Sequence, residues 1–77
     1  MKVSILDTVA CAYQIHGDYH NGEKYMSEAI EIADSIGGFD SERKATYYTR
    51  LGDIKHSLGD KEEARRAWDI AAKLMEE

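Results

Sequence analysis

The chain has no proline and only one cysteine, Cys11, among its 77 residues. Without proline, no residue breaks a helix by removing a backbone N–H donor. A lone cysteine cannot form an internal disulfide, so we expect a reducing compartment, the cytoplasm. No apolar run approaches the roughly 18 residues of a membrane span. Asp7 interrupts the short apolar stretch near the start, which argues against a signal peptide.

The chain also has few basic residues, which occur without a cluster. Ten Lys and Arg stand against fifteen Asp and Glu, giving a net charge of −5. Nucleic-acid binding needs a basic surface that neutralises phosphates, so we expect no nucleic-acid partner. An anionic membrane surface would repel the chain, so we expect no membrane partner either.

What the chain does contain is an ordinary globular composition in a short length. It is 43% apolar and 32% charged, as in a folded soluble domain. We expect one domain over residues 1–77. A chain of this size buries only about 60% of its unfolded surface, so its packing must be efficient or a partner must assist.

Four segments with apolar residues at three- and four-residue spacing predict amphipathic helices. Glycines at 17, 37–38 and 59 separate these segments. The segments cover about residues 2–16, 20–36, 41–58 and 60–75. Asp40 or Ser41 is the expected N-cap of the third segment, and Asp60 of the fourth, with Glu63 completing a capping box. The chain is therefore predicted to be all-α.

The second half of the chain repeats the first at a distance of 42 residues. The later set is Leu51-Gly52, Gly59-Asp60, Trp68 and Ala71-Ala72, and the earlier is Val9-Ala10, Gly17-Asp18, Met26 and Ala29-Ile30. A fixed period in a helical chain indicates stacked repeats. An up-and-down four-helix bundle shares the helix pattern, but the repetition favours two antiparallel hairpins stacked in one orientation.

These residues resemble the tetratricopeptide repeat, a helix-turn-helix unit. The second unit matches at Tyr48, Leu51-Gly52, Gly59-Asp60, Ala64, Trp68 and Ala71, and the first at Leu6, Val9-Ala10, Tyr13, Gly17-Asp18, Tyr19, Met26 and Ala29. Lys55 replaces a usual aromatic and Gly22 a usual alanine. The resemblance implies a right-handed α-solenoid fragment with repeats over about 3–36 and 45–77, in a variant longer than the common 34 residues.

The resemblance implies a non-enzymatic module that binds a peptide or protein segment in a concave groove. Carried onto this sequence, the groove residues are Asp7, Cys11, Gln14, Thr49, Asp53 and His56. None is a lysine, arginine or asparagine, so a clamp for a C-terminal carboxylate is excluded. A basic or polar segment is expected, with Asp7 and Asp53 as counter-charges. The alternative is that these are only solvated helix residues.

The last segment suggests a second surface. Its apolar residues cover an arc of about 200°, wider than inward packing requires. Ala67, Ile70 and Leu74 have no following segment to cover them, although solenoid ends normally carry a polar cap. Self-association through this face, a homo-oligomer, is one hypothesis. A structural or engineered assembly unit, or a fragment of a bacterial regulator's repeat array, is the alternative.

Catalytic, metal and cofactor sites are not expected. His16 and His20 are separated by the Gly17-Asp18 turn and do not share a helical face as zinc ligands would. Cys11 has no base near it in sequence to activate the thiol. Tyr13, Met26, Leu51 and Trp68 are instead predicted to hold the stack together.

Overall fold

The computed structural model describes residues 2–38 and 40–76, and for residues 2–4 the backbone alone. It contains four α-helices: α1 (Lys2–Ile15), α2 (Tyr19–Ser35), α3 (Ser41–Ser57) and α4 (Lys61–Glu76). Neither described range contains a strand. The predicted all-α class is confirmed, and each predicted segment corresponds to one helix.

The turns inside the two hairpins have the same construction. Gly17 adopts φ of 82°, and Gly59 adopts φ of 87°, a left-handed conformation that side chains disfavour. The N–H of Asp18 then donates to the carbonyl of Tyr13 at 2.8 Å, which closes the end of α1. The Asp18 carboxylate accepts from the backbone N–H three residues later at 3.4 Å, and Asp60 does the same at 3.3 Å. Both aspartates therefore cap the next helix.

The connection between the hairpins ends at another aspartate. Asp40 is the N-cap of α3, and its carboxylate accepts from the backbone N–H of Glu42 at 2.9 Å. Of the two N-cap residues that the sequence allowed, the structure therefore selects Asp40 over Ser41. Gly38, which precedes this cap by two residues, has a φ of 80°.

The main core lies where α1, α2 and α3 meet. Its members are Leu6, Ala10, Met26, Ala29, Ile30, Ala33, Tyr47 and Ile54. At the edge of this core, the rings of Tyr13 and Tyr25 stack at 5.6 Å and 6°. Met26 and Ile54 are the largest fully buried side chains among the described residues, so the predicted role of Met26 in the stack matches its position.

The second hairpin packs through small residues. Ala64, Ala67 and Ala71 form the buried side of α4. The indole of Trp68 covers the backbone of α3, because a Cβ added at Gly52 would lie 2.4 Å from its Nε1 atom. Trp68 stays 37% exposed. It packs inside the second hairpin, on the α3 backbone at Gly52 and Thr49.

Ion pairs join the two hairpins along the α2–α3 junction. Lys44 Nζ lies 2.9 Å from Asp34, and Lys55 Nζ lies 2.9 Å from Glu23. The Lys55 hydrogen bond to Glu23 is the main cause that raises the pKa of Lys55. A lysine at the position where the resembled family usually has an aromatic is thus explained by this partner on α2.

Candidate functional site

The open side of α1 and α3 carries the residues predicted to line a groove. An ion pair between Asp7 of α1 and Arg50 of α3 joins the two helices there. The hydrogen bond to Asp7 is the main cause that raises the pKa of Arg50. The Asp7 carboxylate therefore has an internal partner, and its role as a counter-charge for a ligand stays a prediction.

Cys11 lies one turn after Asp7 on the same helix. Its thiol donates a long hydrogen bond to Asp7 Oδ1, with the sulfur and oxygen 3.9 Å apart. Burial is the main cause that raises the pKa of Cys11; Arg50 acts to lower it, and Asp7 adds to the rise. A raised pKa leaves less thiolate at neutral pH, so the surroundings of Cys11 do not activate its thiol as a nucleophile.

A shallow depression lies on α3 beside this ion pair. It is lined by Ala45, Thr46, Thr49, Arg50, Asp53 and Met75. The Thr49 hydroxyl donates to the Ala45 carbonyl at 2.9 Å, and the Thr46 hydroxyl donates to the Glu42 carbonyl at 3.1 Å. Because both hydroxyl protons are used within α3, the threonine oxygens can offer only acceptor lone pairs to a ligand.

Asp53 provides the negative charge of this depression. Its side chain is exposed, and within residues 5–38 and 40–76 no hydrogen bond or ion pair engages its carboxylate. The carboxylate and the two threonine hydroxyls together form a patch of hydrogen-bond acceptors. Such a patch suits a ligand that carries donors, such as an ammonium, a guanidinium or an amide N–H.

The remaining predicted groove residues are not gathered into this depression. His56 is on the side of α3 that faces α4, with its ring centroid 5.9 Å from that of Trp68. Gln14 is half-buried on α1, and its backbone lies close to Gly22 of α2. The structure therefore brings Asp7, Cys11, Thr49 and Asp53 towards one surface and leaves Gln14 and His56 at its margins.

Sequence reasoning missed Arg50, which among the described residues is the one basic side chain lining the depression. Asp7 and Arg50 are 43 residues apart, close to the repeat distance. In the sequence, the two residues are opposite charges at corresponding turns of the first helix of each repeat. This correspondence predicts an ion pair only when the stacking of those two helices is known.

The surface predicted on α4 needs a correction. Ala67 is only 4% exposed, because it packs against α3 within the chain. Leu74 is half-buried, whereas Ile70 is 41% exposed. Of the three residues, Ile70 alone is well exposed, so these residues do not form a continuous uncovered face.

A different set of residues on α4 forms the uncovered apolar surface. Trp68, Ala72 and Met75 follow one another at four- and three-residue spacing, so they lie on one side of the helix. All three are exposed, Met75 to 64%. We refer to Trp68, Ala72 and Met75 as the α4 stripe. The indole N–H of Trp68 donates to the Thr49 carbonyl at 3.3 Å, which fixes the ring at the edge of α3.

Comparison with known proteins identifies the family. The family model described as "Tetratricopeptide repeat" matches residues 3–67, most of the chain. The chain therefore belongs to the tetratricopeptide-repeat family, whose repeats are typically non-catalytic interaction modules. The match does not test the 42-residue variant, which stays a prediction. No significant match was found among curated proteins or among solved structures.

In the described part of the chain, no helix has both the length and the apolar character needed to cross a bilayer. The same residues contain no group of three or more His, Cys, Asp or Glu side chains placed to hold a metal ion.

Proposed function

We propose that this chain is a non-enzymatic interaction module that binds an extended, basic or polar protein segment across α1 and α3. The observation that carries the proposal is the exposed Asp53 carboxylate, which has no partner among the side chains that the structure describes, beside the Thr46 and Thr49 hydroxyls. The net charge of −5 favours the approach of a basic partner. We place this activity in the cytoplasm, in keeping with the single free cysteine.

The Asp7–Arg50 pair has a different part in this proposal. Since Arg50 forms an ion pair with Asp7, Asp53 is the main counter-charge for a basic segment in this proposal. The Asp7 carboxylate can still accept a second hydrogen bond, and the Arg50 guanidinium can still donate one. A segment that places a basic side chain at Asp53 and a backbone carbonyl near Arg50 would use both Asp53 and Arg50.

A binding measurement with a matched control tests this proposal. The probe is a fluorescein-labelled peptide of alternating lysine and serine, and the readout is fluorescence anisotropy. Asp53→Asn should weaken binding by roughly two- to fivefold, because an exposed ion pair contributes about 0.2–1 kcal/mol. Asp69→Asn, on the exposed side of α4, makes the same change in net charge and should have a smaller effect.

Equal losses in the two variants would mean that the peptide responds only to overall charge, and the groove proposal would be wrong. A peptide of alternating glutamate and serine provides the second control. It should bind more weakly than the lysine peptide and should respond little to Asp53→Asn.

Self-association is a second candidate function, and the α4 stripe favours it. Trp68 and Met75 are large apolar side chains that share one exposed side of a helix. Exposed apolar side chains that lie next to each other commonly mark protein interaction sites. The α4 stripe adjoins the proposed peptide site on α1 and α3, because Met75 also lines the depression beside Asp53.

A further inference from the structure

The α2–α3 junction shows how one hairpin of this chain covers another. On α2, the residues Met26, Ile30 and Ala33 form a stripe at four- and three-residue spacing. Tyr47 and Ile54 of α3 belong to the same buried cluster as this stripe. None of these five residues is more than 7% exposed. An apolar stripe on the second helix of one hairpin is thus buried by the first helix of the next.

Both halves of such a junction recur on the outside of the molecule. The α4 stripe lies 42 residues after the α2 stripe, position for position, and it is uncovered. On α1, Ile5 and Ala12 lie 42 residues before Tyr47 and Ile54. Ile5 is 62% exposed and Ala12 is also exposed. We refer to Ile5 and Ala12 as the α1 face.

We propose that the α1 face of one copy of this chain packs on the α4 stripe of another copy, continuing the stack head to tail. The proposal rests on the self-association function suggested above and specifies its partner, register and polarity. It can be tested separately from the proposed basic ligand, because Asp53 belongs to neither surface, although Met75 of the α4 stripe also lines the depression beside Asp53.

The sizes of the facing side chains support this pairing. Inside the chain, the large Tyr47 and Ile54 of α3 lie opposite a stripe that includes the small Ala33. Between copies, the smaller Ile5 and Ala12 would meet a stripe that includes the large Trp68. Two of the three stripe residues are larger than their α2 counterparts and Ala72 is smaller than Ile30, so the stripe restores part of the volume that the α1 face lacks.

The charges along the same register support it as well. Lys44 pairs with Asp34 inside the chain at 2.9 Å. The residues 42 positions away are Lys2 and Glu76, so the register again brings a lysine position to an acidic position. The other internal pair, Lys55 with Glu23, corresponds to Tyr13 and Arg65, where no like charges meet. At these two pairs of positions, the register therefore introduces no repulsion between like charges.

This interface joins two different surfaces, so a dimer leaves one surface of each copy unused. Unless the rotation between copies closes a ring, a heterologous contact leaves one free α1 face and one free α4 stripe on every assembly, and growth continues. A symmetric contact between two α4 stripes would stop at a dimer. A charge placed on the α1 face would block the head-to-tail contact but not a symmetric contact between two α4 stripes, so substitutions on α1 distinguish the two arrangements.

Sedimentation velocity between about 10 µM and about 1 mM, the range in which a weak interface associates, tests the proposal. The mean mass of the unmodified chain should rise beyond that of a dimer. Ala12→Arg and Ala72→Arg each place a charge on one exposed surface, so each variant alone should stay monomeric. Mixed together, they should form a dimer that does not grow, because each supplies the surface that the other lacks.

Ser27→Arg makes the same charge change at another exposed position and should assemble like the unmodified chain. Circular dichroism should show equal helix content in all variants. Persistent monomers of the unmodified chain would overturn the proposal, as would a monomeric mixture. Assembly of Ala12→Arg on its own would show a symmetric α4 contact instead. Lysine-peptide binding, measured on the dilute monomer, should be unchanged in both variants, so failure of the stack and failure of the groove give different results.

Discussion

The contact between Trp68 and Gly52 predicts that replacing this helical glycine by alanine lowers the stability of the protein, which is the opposite of the usual effect. Replacing a helical glycine by alanine normally stabilises a helix by about 1 kcal/mol. At Gly52 the new methyl group would lie 2.4 Å from Trp68 Nε1 and 2.5 Å from Cδ1. No rigid arrangement accommodates such distances, so the indole must move away from α3.

The movement of the Trp68 indole determines how much Gly52→Ala lowers the free energy of unfolding. Overpacking costs about 1–3 kcal/mol, and loss of the hydrogen bond from Trp68 to the Thr49 carbonyl costs about 1 kcal/mol more. After the gain in helix propensity is subtracted, Gly52→Ala should lower the free energy of unfolding by about 1–3 kcal/mol. In a domain of this size, 1 kcal/mol corresponds to a fall in Tm of roughly 4–8 °C.

Gly22→Ala is the matched control, since Gly22 is also a buried glycine inside a helix. There the added Cβ would lie 3.4 Å from the Ala10 carbonyl oxygen and from Ile54 Cδ1, an ordinary contact. Gly22→Ala should therefore be neutral or stabilising by up to about 1 kcal/mol. The two substitutions are chemically identical, so their opposite signs would arise from packing alone.

Urea unfolding followed by circular dichroism measures both variants, at concentrations where the chain is monomeric. The coupling to Trp68 is tested by repeating Gly52→Ala in a Trp68→Ala background, where the methyl group should become stabilising. Trp68→Ala alone should cost about 2–3 kcal/mol, less than for an enclosed tryptophan, because the ring is already partly in water. A Gly52→Ala variant more stable than the parent would show that the indole does not rest on the α3 backbone.

Two further predictions concern titrating groups. Burial raises the pKa of Cys11, so iodoacetamide should modify it more slowly than a free cysteine at the same pH. Asp7→Asn should accelerate the reaction and Arg50→Gln should slow it, because Asp7 raises the pKa and Arg50 lowers it; the same rate in both variants would contradict this. Folding raises the pKa of Lys55 above 10.5 and that of Tyr48 above 10.0. The protonated form of each residue therefore stabilises the folded chain fully below these values, and this contribution is lost as pH rises through the folded-state pKa. Urea midpoints measured at about pH 9 and about pH 11 should show this loss, and Lys55→Met should reduce it.

The helices and their ends were predictable because their causes are local. Gly17 and Gly59 take left-handed conformations that favour glycine, and the aspartate after each glycine caps the following helix. The burial of Met26 followed from its place in the apolar pattern of α2. Such features depend on residues within about one helical turn, so a single sequence contains the information.

The surfaces of the molecule were predicted less well, and the errors have one physical origin. The apolar arc of α4 is wide enough to include both Ala67 and Met75, and periodicity does not say which part packs on α3. The absence of a side chain at Gly52 decides this, because it lets α3 receive the Trp68 ring. Ala67 is then buried and Met75 is left exposed.

By itself, the sequence determined the all-α class, the position of each helix and the repetition of one hairpin, since all three depend on residues close together in the chain. Only the tertiary structure decided that Arg50 occupies Asp7, that Asp53 remains available, and that α4 exposes Trp68 and Met75. These outcomes depend on how α1, α3 and α4 approach one another, and the residues concerned are separated by many turns of chain.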